Sequence, residues 1–428
     1  MKRLSFAKAV LVAAAASLTS CNQYDLFSVT GFEQEAFSAK ADILFVIDNS
    51  DSMQEETEAL ATSFTNFINL LSAEQAGFPT ENLSDAVSYY AQFSGKKGSY
   101  VNYQLAVTTT DPSENGPVFS GSGAVTRFDD DVGNSFAKNL LCDSTCFVDS
   151  PPAGNGRSCG DPLGDRVTQK WLDCECDSNW QGNCGSEQEE HLEAVFLAMC
   201  SAVPNPPAAC FEHGAHWDAE FRERDVGRNE GFLRDNATFI PVIITDEGDD
   251  SRRMEGNDPV PAIYSSLFAQ FNRRTVWTVI GPYRNDAGRF PCPTGASQFG
   301  TLRLQHFVEA TNGLYVPITD EDNNCEPRNF DDALAQLGQL LTNLNRSFRL
   351  RSVPIPESIT VFTSGGGTIP QAEQSGISDA GVPIYGDGWS YDFPTNTVLL
   401  HGSAVPDFGE DVTVYYKPQD GNPRSLPF

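Results

Sequence analysis

Positive charge is what this chain has least of. Against 58 Asp and Glu stand 28 Lys and Arg, with five His, and so acidic a surface does not hold phosphate backbones or anionic headgroups through its own side chains. Nucleic acid is therefore excluded as a partner. Long apolar runs are nearly as scarce: beyond the N-terminal stretch none reaches the length of a membrane crossing. Also missing are a Gly-Lys loop to cradle phosphate and a His paired with a nucleophile signature. The histidines are scattered, and the expectation is a binding protein, not an enzyme.

What is present begins with Met1 to Cys21. Lys2, Arg3 and Lys8 precede an apolar stretch from Ala9 to Leu18, so residues 1–20 read as a secretory signal too short to remain as a span. Leu18-Thr19-Ser20-Cys21 resembles a bacterial lipoprotein processing site, which implies a lipid on Cys21; plain secretory cleavage nearby is the alternative. Removing residues 1–20 takes away three basic groups and no acidic one, leaving 25 basic against 58 acidic residues. Asn22 after that Cys is not the residue usually linked to inner-membrane retention, so the expected place is the outer membrane or cell surface, with the membrane touched by the lipid anchor only. Residues 21–39 lack periodicity and read as a tether.

Ten further cysteines follow: Cys142, Cys146, Cys159, Cys174, Cys176, Cys184, Cys200, Cys210, Cys292 and Cys325. In an exported chain an even count predicts disulfides, with the connectivity open. Cys210-Phe-Glu-His213-Gly-Ala-His216 is either a partial zinc cluster or a bridged Cys beside two surface histidines.

The stretch that organises the chain is Ala41 to Met53. Ile43 to Ile47 is a continuous apolar run of strand length that empties directly into Asp48, Ser50 and Ser52, and helical spacing follows at Leu60, Phe64, Phe67, Ile68 and Leu71. Oxygen donors thus gather at a strand's carboxyl end, where a hard cation fits; the plainer alternative is that Ser50 or Ser52 caps the helix. A second apolar strand, Phe239 onward, ends in Thr245-Asp246-Glu-Gly.

An apolar strand followed by Asp-x-Ser-x-Ser resembles the first metal-binding motif of the von Willebrand factor type A family, whose site is called the metal-ion-dependent adhesion site. Thr245-Asp246-x-Gly resembles its third motif. Between them Gly185-Ser186 opens a helix, with Leu192 six positions after the serine, which is similar to the family's Gly-Thr helix start; Ser186 as an N-cap in a capping box with Glu189 is compatible with this. The resemblance implies metal ligands Asp48, Ser50, Ser52, Ser186 and Asp246, a bound Mg²⁺ or Mn²⁺, and a protein partner that presents Asp or Glu to the ion. The acidic runs at 246–250 and 320–324 either hold Ca²⁺ or are solvated loops; neither has EF-hand spacing.

The alternation of strands and helices predicts an α/β fold, a doubly wound, mostly parallel sheet over residues 40–350. Tyr103–Thr109, Thr275–Ile280 and Leu314–Ile318 supply further strands. Residues 111–184, dense in Gly, Pro and Cys, read as a disulfide-rich insertion beside the strand ends. From 351 to 428 the period changes to two, which predicts a small all-β domain. The function expected is that of an envelope lipoprotein binding a protein through a divalent ion; the alternatives are a metal-independent structural lipoprotein and a Mg-dependent hydrolase.

Overall fold

The computed structural model describes residues 33–38, 40–53, 56, 60, 63, 102–110, 119, 123–126, 128–129, 132–143, 189–212, 221, 223–251, 262–283, 289–292, 298–311, 313–320, 324–327, 330–343, 346–364, 367–377, 383–406 and 410–419. Its first half opens with β1 (Glu33–Ser38), β2 (Lys40–Ile47), β3 (Asn102–Thr109), β4 (Val125–Thr126), α1 (Val132–Asp143), α2 (His191–Ser201) and β5 (Thr238–Ile244). Then come α3 (Ala262–Ala269), β6 (Thr278–Gly281), α4 (Gln298–Thr311), β7 (Leu314–Pro317), β8 (Thr319–Asp320), β9 (Glu326–Pro327) and α5 (Phe330–Asn343).

Six of these strands form one mixed sheet in the order β4-β3-β2-β5-β6-β7. All neighbours are parallel except β4, which lies antiparallel on β3. The two central strands carry the apolar runs Ile43–Ile47 and Phe239–Ile244 because both faces are covered. On one face Ile43, Phe45 and Ile47 meet Leu60, Phe136 and Leu140 and the α5 residues Leu334, Leu337 and Leu341. On the other, Leu44 and Val46 meet the buried α2, with Tyr264 and Phe268 of α3 and Phe307 of α4. Strand order reverses between β2 and β5, since the chain leaves β2 towards β3 on one side and returns as β5 on the other. At such a reversal the loops diverge and leave a crevice outside the strands' carboxyl ends. Asp48 and Asp246 follow those two strands.

A second body is all β: β10 (Ser347–Arg349), β11 (Thr360–Thr363), β12 (Thr368–Ile369), β13 (Gln374–Ile377), β14 (Pro383–Tyr385), β15 (Gly388–Asp392), β16 (Thr397–His401) and β17 (Asp411–Tyr416). Burial alternates strictly along β17, as the period of two requires. One sheet runs β1-β17-β11-β12 and another β10-β16-β15, around a core that includes Phe37, Phe348, Val398, Val414 and Tyr416.

Three expectations change here. Residues 33–38, expected within the 21–39 tether, form β1, paired antiparallel with β17 from Glu33↔Tyr416 to Ser38↔Asp411. The boundary expected at 350 moves back, because Ser347–Arg349 pairs with β16 in the all-β body. The expected 111–184 insertion contains β4 and α1, which belong to the main sheet and its core; much of the rest of it lies outside the described residues.

Among the described residues two disulfides are formed, Cys200–Cys210 and Cys292–Cys325. The first removes Cys210 from any zinc cluster. The second joins the segment after β6 to the β8–β9 hairpin.

Phe37 tests the reassigned strand. It is 5% exposed, its ring centroid lies 4.8 Å from that of Phe348, and the Arg274 guanidinium sits 5.1 Å over its face. Phe37→Ala is expected to lower unfolding free energy by about 3 to 5 kcal/mol, measured by urea denaturation. A tether residue would leave the curve unmoved.

Candidate functional site at the carboxyl ends of the central strands

The site is assembled by register. Ile47 lies opposite Ile244, and the Asp48 amide continues the ladder by donating to the Ile244 carbonyl at 2.9 Å, so Asp48 and Thr245 leave the sheet side by side. After Asp48 the chain folds back on itself: the Ser50 amide donates to Asp48 Oδ1 at 3.0 Å. A single 3₁₀ turn, Asp51–Met53, then buries Met53 and turns Ser52 outward. This is an Asx-type turn, the local conformation in which an aspartate competes successfully with regular structure.

Four of the five expected ligands come together. Ser50 Oγ and Ser52 Oγ are 2.9 Å apart, and Ser52 Oγ donates to Asp246 Oδ1 at 3.2 Å. Asp48 is fully buried and Ser50 is 4% exposed. The fifth, Ser186, lies outside the described residues, as does Cys21. The helix expected to open at Gly185 begins instead at His191, so a capping box from Ser186 does not start it. Its first amides are capped from another loop: Leu192 N donates to Asp249 Oδ1 and Glu193 N to Ser251 Oγ, each at 3.0 Å. Anionic Asp249 there also suits the positive end of the helix dipole.

Glu189 is a residue that sequence reasoning placed only in a cap. It is fully buried, its Oε2 accepts from Thr110 Oγ1, and its carbonyl accepts from Asp250 N at 2.8 Å. Glu190 N donates to the Thr110 carbonyl, and Thr110 N to that of Ile47. The segment before α2 is thus laced to both flanks of the crevice. His191, next in sequence, is fully buried with no hydrogen bond at either ring nitrogen among the described residues; its Nδ1 is 3.7 Å from Asp249 Oδ1.

Electrostatically the rim is overloaded with like charge. Burial, and then the charge of Asp48, push the Asp246 carboxyl up to about 6. Burial, followed by the charges of Asp48 and Asp246, push Glu247 up to about 7, with His191 acting in the opposite direction. Both folded-state values lie above the ordinary ones, so the folded protein binds more protons than the unfolded chain between pH 4 and about 7. The stability these protons contribute is full at low pH and is lost as pH rises through that window. Glu247→Gln is therefore expected to lose less stability than the parent on going from pH 5 to pH 7.5 in EDTA. Urea midpoints at the two pH values check this, and equal losses would contradict the assigned strain.

The donors that meet here are hard oxygens, two carboxylates and two hydroxyls, and the mutual repulsion of neighbouring carboxylates is what a divalent cation relieves. In donor type the set fits Mg²⁺ or Mn²⁺. It does so only with its hydroxyls, because no group of three or more His, Cys, Asp or Glu among the described residues is disposed to hold a metal ion.

No protein-family model matches the chain, and no curated protein matches it. Solved structures do. Proximal thread matrix protein 1 from the mussel byssus is 13% identical over 73% of this chain and 48% of its own, with a TM-score of 0.28. A von Willebrand factor type A protein from Catenulispora acidiphila is 9% identical over 92% of this chain and 66% of its own, with a TM-score of 0.32. The pilus adhesin RrgA from Streptococcus pneumoniae is 9% identical over 93% and 60%, with a TM-score of 0.27. The chain spans about half the length of the mussel protein and less than two thirds of the other two. At these identities and scores the likenesses establish neither a family nor an activity.

Proposed function

We propose that this chain is an exported, lipid-anchored envelope protein with a doubly wound, von Willebrand factor type A-like domain that binds a protein partner through a divalent ion at the β2/β5 crevice. The observation that carries the reading is the run of hydrogen bonds joining Asp48, Ser50, Ser52 and Asp246 at the place where the order of the described strands reverses. These four residues would hold the ion. Bound there, Mg²⁺ or Mn²⁺ supplies an electrophile for a partner's Asp or Glu.

What the chain's own residues do is separate from that. Asp48 and Ser50 are fixed by burial and by their mutual turn, Ser52 reaches out from the rim, and Asp246 is held against Ser52. The hydroxyls orient without adding charge. The all-β body packs at the opposite, amino ends of the strands: β1 runs into β2, and Arg274, ahead of β6, donates to the Ser347 carbonyl at 3.0 Å. With the anchor at Cys21, twelve residues before Glu33, the crevice is the end presented away from the anchor.

The test is capture from envelope extract by the full mature chain in Mg²⁺ and in EDTA, with Asp246→Asn as a control. Capture in Mg²⁺ alone, lost in the variant, supports the reading. Equal capture in Mg²⁺ and EDTA would put the metal site aside in favour of a structural lipoprotein.

A further inference from the structure

The Asp48 amide and the Ser52–Asp246 hydrogen bond tie the two sides of the crevice together, and a side chain outside the expected set adds a tie at the Asp48 carboxylate itself. Thr245 is fully buried. Its Oγ1 lies 2.6 Å from Asp48 Oδ2, 2.9 Å from the Glu247 amide and 3.5 Å from the Glu247 carbonyl. A hydroxyl has one proton. The Glu247 N–H must donate to Oγ1, and of the two remaining acceptors the carboxylate is nearer by 0.9 Å, so the proton goes to Asp48. Asp48 then has both oxygens engaged, Oδ1 by the Ser50 amide and Oδ2 by Thr245, and cannot turn about its own side-chain bonds without breaking one of them. Threonine suits the task because its branched Cβ restricts χ1, while the Thr245 amide is itself fixed to the Ile280 carbonyl at 3.1 Å.

We infer that Thr245 is the positioning residue of the crevice: its hydroxyl locks the Asp48 carboxylate in one orientation, in which it would help to hold the divalent ion, and ties the end of β2 to the Asp246–Glu247 turn. It acts through Asp48 and touches neither ion nor partner. The inference rests on the metal-site reading for its functional meaning, but the lock itself is a property of the metal-free chain and is tested there as well.

The experiment uses the full mature chain as Thr245→Val, which keeps the shape and removes the hydroxyl, and Thr245→Ser, which keeps the hydroxyl. Calorimetric titration with Mg²⁺ alone should show Thr245→Val weaker by roughly ten- to a hundredfold, the range for losing an outer-shell partner, and Thr245→Ser close to the parent. In EDTA, amide exchange at Ser50 should accelerate in Thr245→Val and not in Thr245→Ser, because a released Asp48 no longer holds the Ser50 N–H. Parent-like uptake by Thr245→Val overturns the inference. So does a loss in Thr245→Ser as large as in Thr245→Val, which would assign the effect to the methyl group. If the parent takes up no Mg²⁺, the adhesion-site reading fails, and the exchange arm still decides: unchanged Ser50 exchange in Thr245→Val defeats the lock.

Discussion

Asp48→Asn is expected to abolish Mg²⁺ uptake while leaving the metal-free protein at least as stable as the parent at pH 7.5. The substitution keeps the volume, and the amide oxygen still accepts from the Ser50 N–H. It removes one buried negative charge beside Asp246 and Glu247, and at the other oxygen it sets an NH2 against Thr245 Oγ1, which then accepts there and turns its proton to the Glu247 carbonyl. For the ion this is severe: unit charges about 4 Å apart at a protein-like effective dielectric interact by roughly 4 kcal/mol, so an affinity loss of roughly a hundredfold or more follows. For the apo protein the same change is a relief. Asp48 is the leading charge that holds Glu247 up at about 7, and after burial it is the main cause at Asp246. Both carboxyls should therefore titrate lower in the variant. Calorimetry with Mg²⁺ and thermal melts in EDTA read the two halves separately. Undiminished uptake would remove Asp48 from the site, and a markedly lower melting point in EDTA would show that its carboxylate holds the fold, not an ion.

The same residues show what a sequence can and cannot reveal. Strands β2 and β5 are legible because burial on both faces gives them the apolar runs Ile43–Ile47 and Phe239–Ile244, and the first acidic residue after each, Asp48 or Asp246, marks where the strand ends. The strand β1 is illegible for the converse reason: of Glu-Gln-Glu-Ala-Phe-Ser only Phe37 carries a large apolar side chain, and its partner strand is more than three hundred residues away. The two residues of β4 are too few to show a period at all. At the site, Asp48, Ser50 and Ser52 are local and readable as one turn. The capping of α2 by Asp249 and Ser251, and the grip of Thr245 on Asp48, are contacts between segments far apart in the chain, which no local spacing encodes. Helix start rules pointed to Ser186 because they look for a cap just upstream, whereas here the cap arrives through space.

At the other end of the central strand a second deeply buried acid makes a sharper demand on stability. Asp42 is 1% exposed and is gripped by Arg234, whose Nε donates to Oδ1 at 2.7 Å and whose amide donates to Oδ2 at 2.8 Å, with the charge of Arg273 adding a smaller attraction. The guanidinium also donates to Asn102 Oδ1 at 2.7 Å, to the Asn102 carbonyl at 2.8 Å and to the Ala41 carbonyl at 2.9 Å, which pins the amino ends of β2 and β3 to the segment before β5. Burial still outweighs the guanidinium, and the Asp42 carboxyl is pushed up to about 6. Arg234→Ala removes the guanidinium and leaves the acid with only the position-234 amide and the attraction of Arg273, so unfolding free energy should fall by about 3 to 5 kcal/mol at pH 7.5. Without the arginine the folded-state value rises further, so the protonated form carries more of the stability and the deficit shrinks as pH is lowered to 5. Asp42→Asn in the Arg234→Ala background should recover part of the loss at pH 7.5 and little at pH 5, because the neutral amide needs no countercharge. The folded fraction should bind Mg²⁺ as the parent does, since the brace lies at the end of β2 remote from Asp48. A pH-independent deficit that Asp42→Asn does not repair would mean that Arg234 acts through its three contacts to Ala41 and Asn102, and that the ion pair contributes nothing.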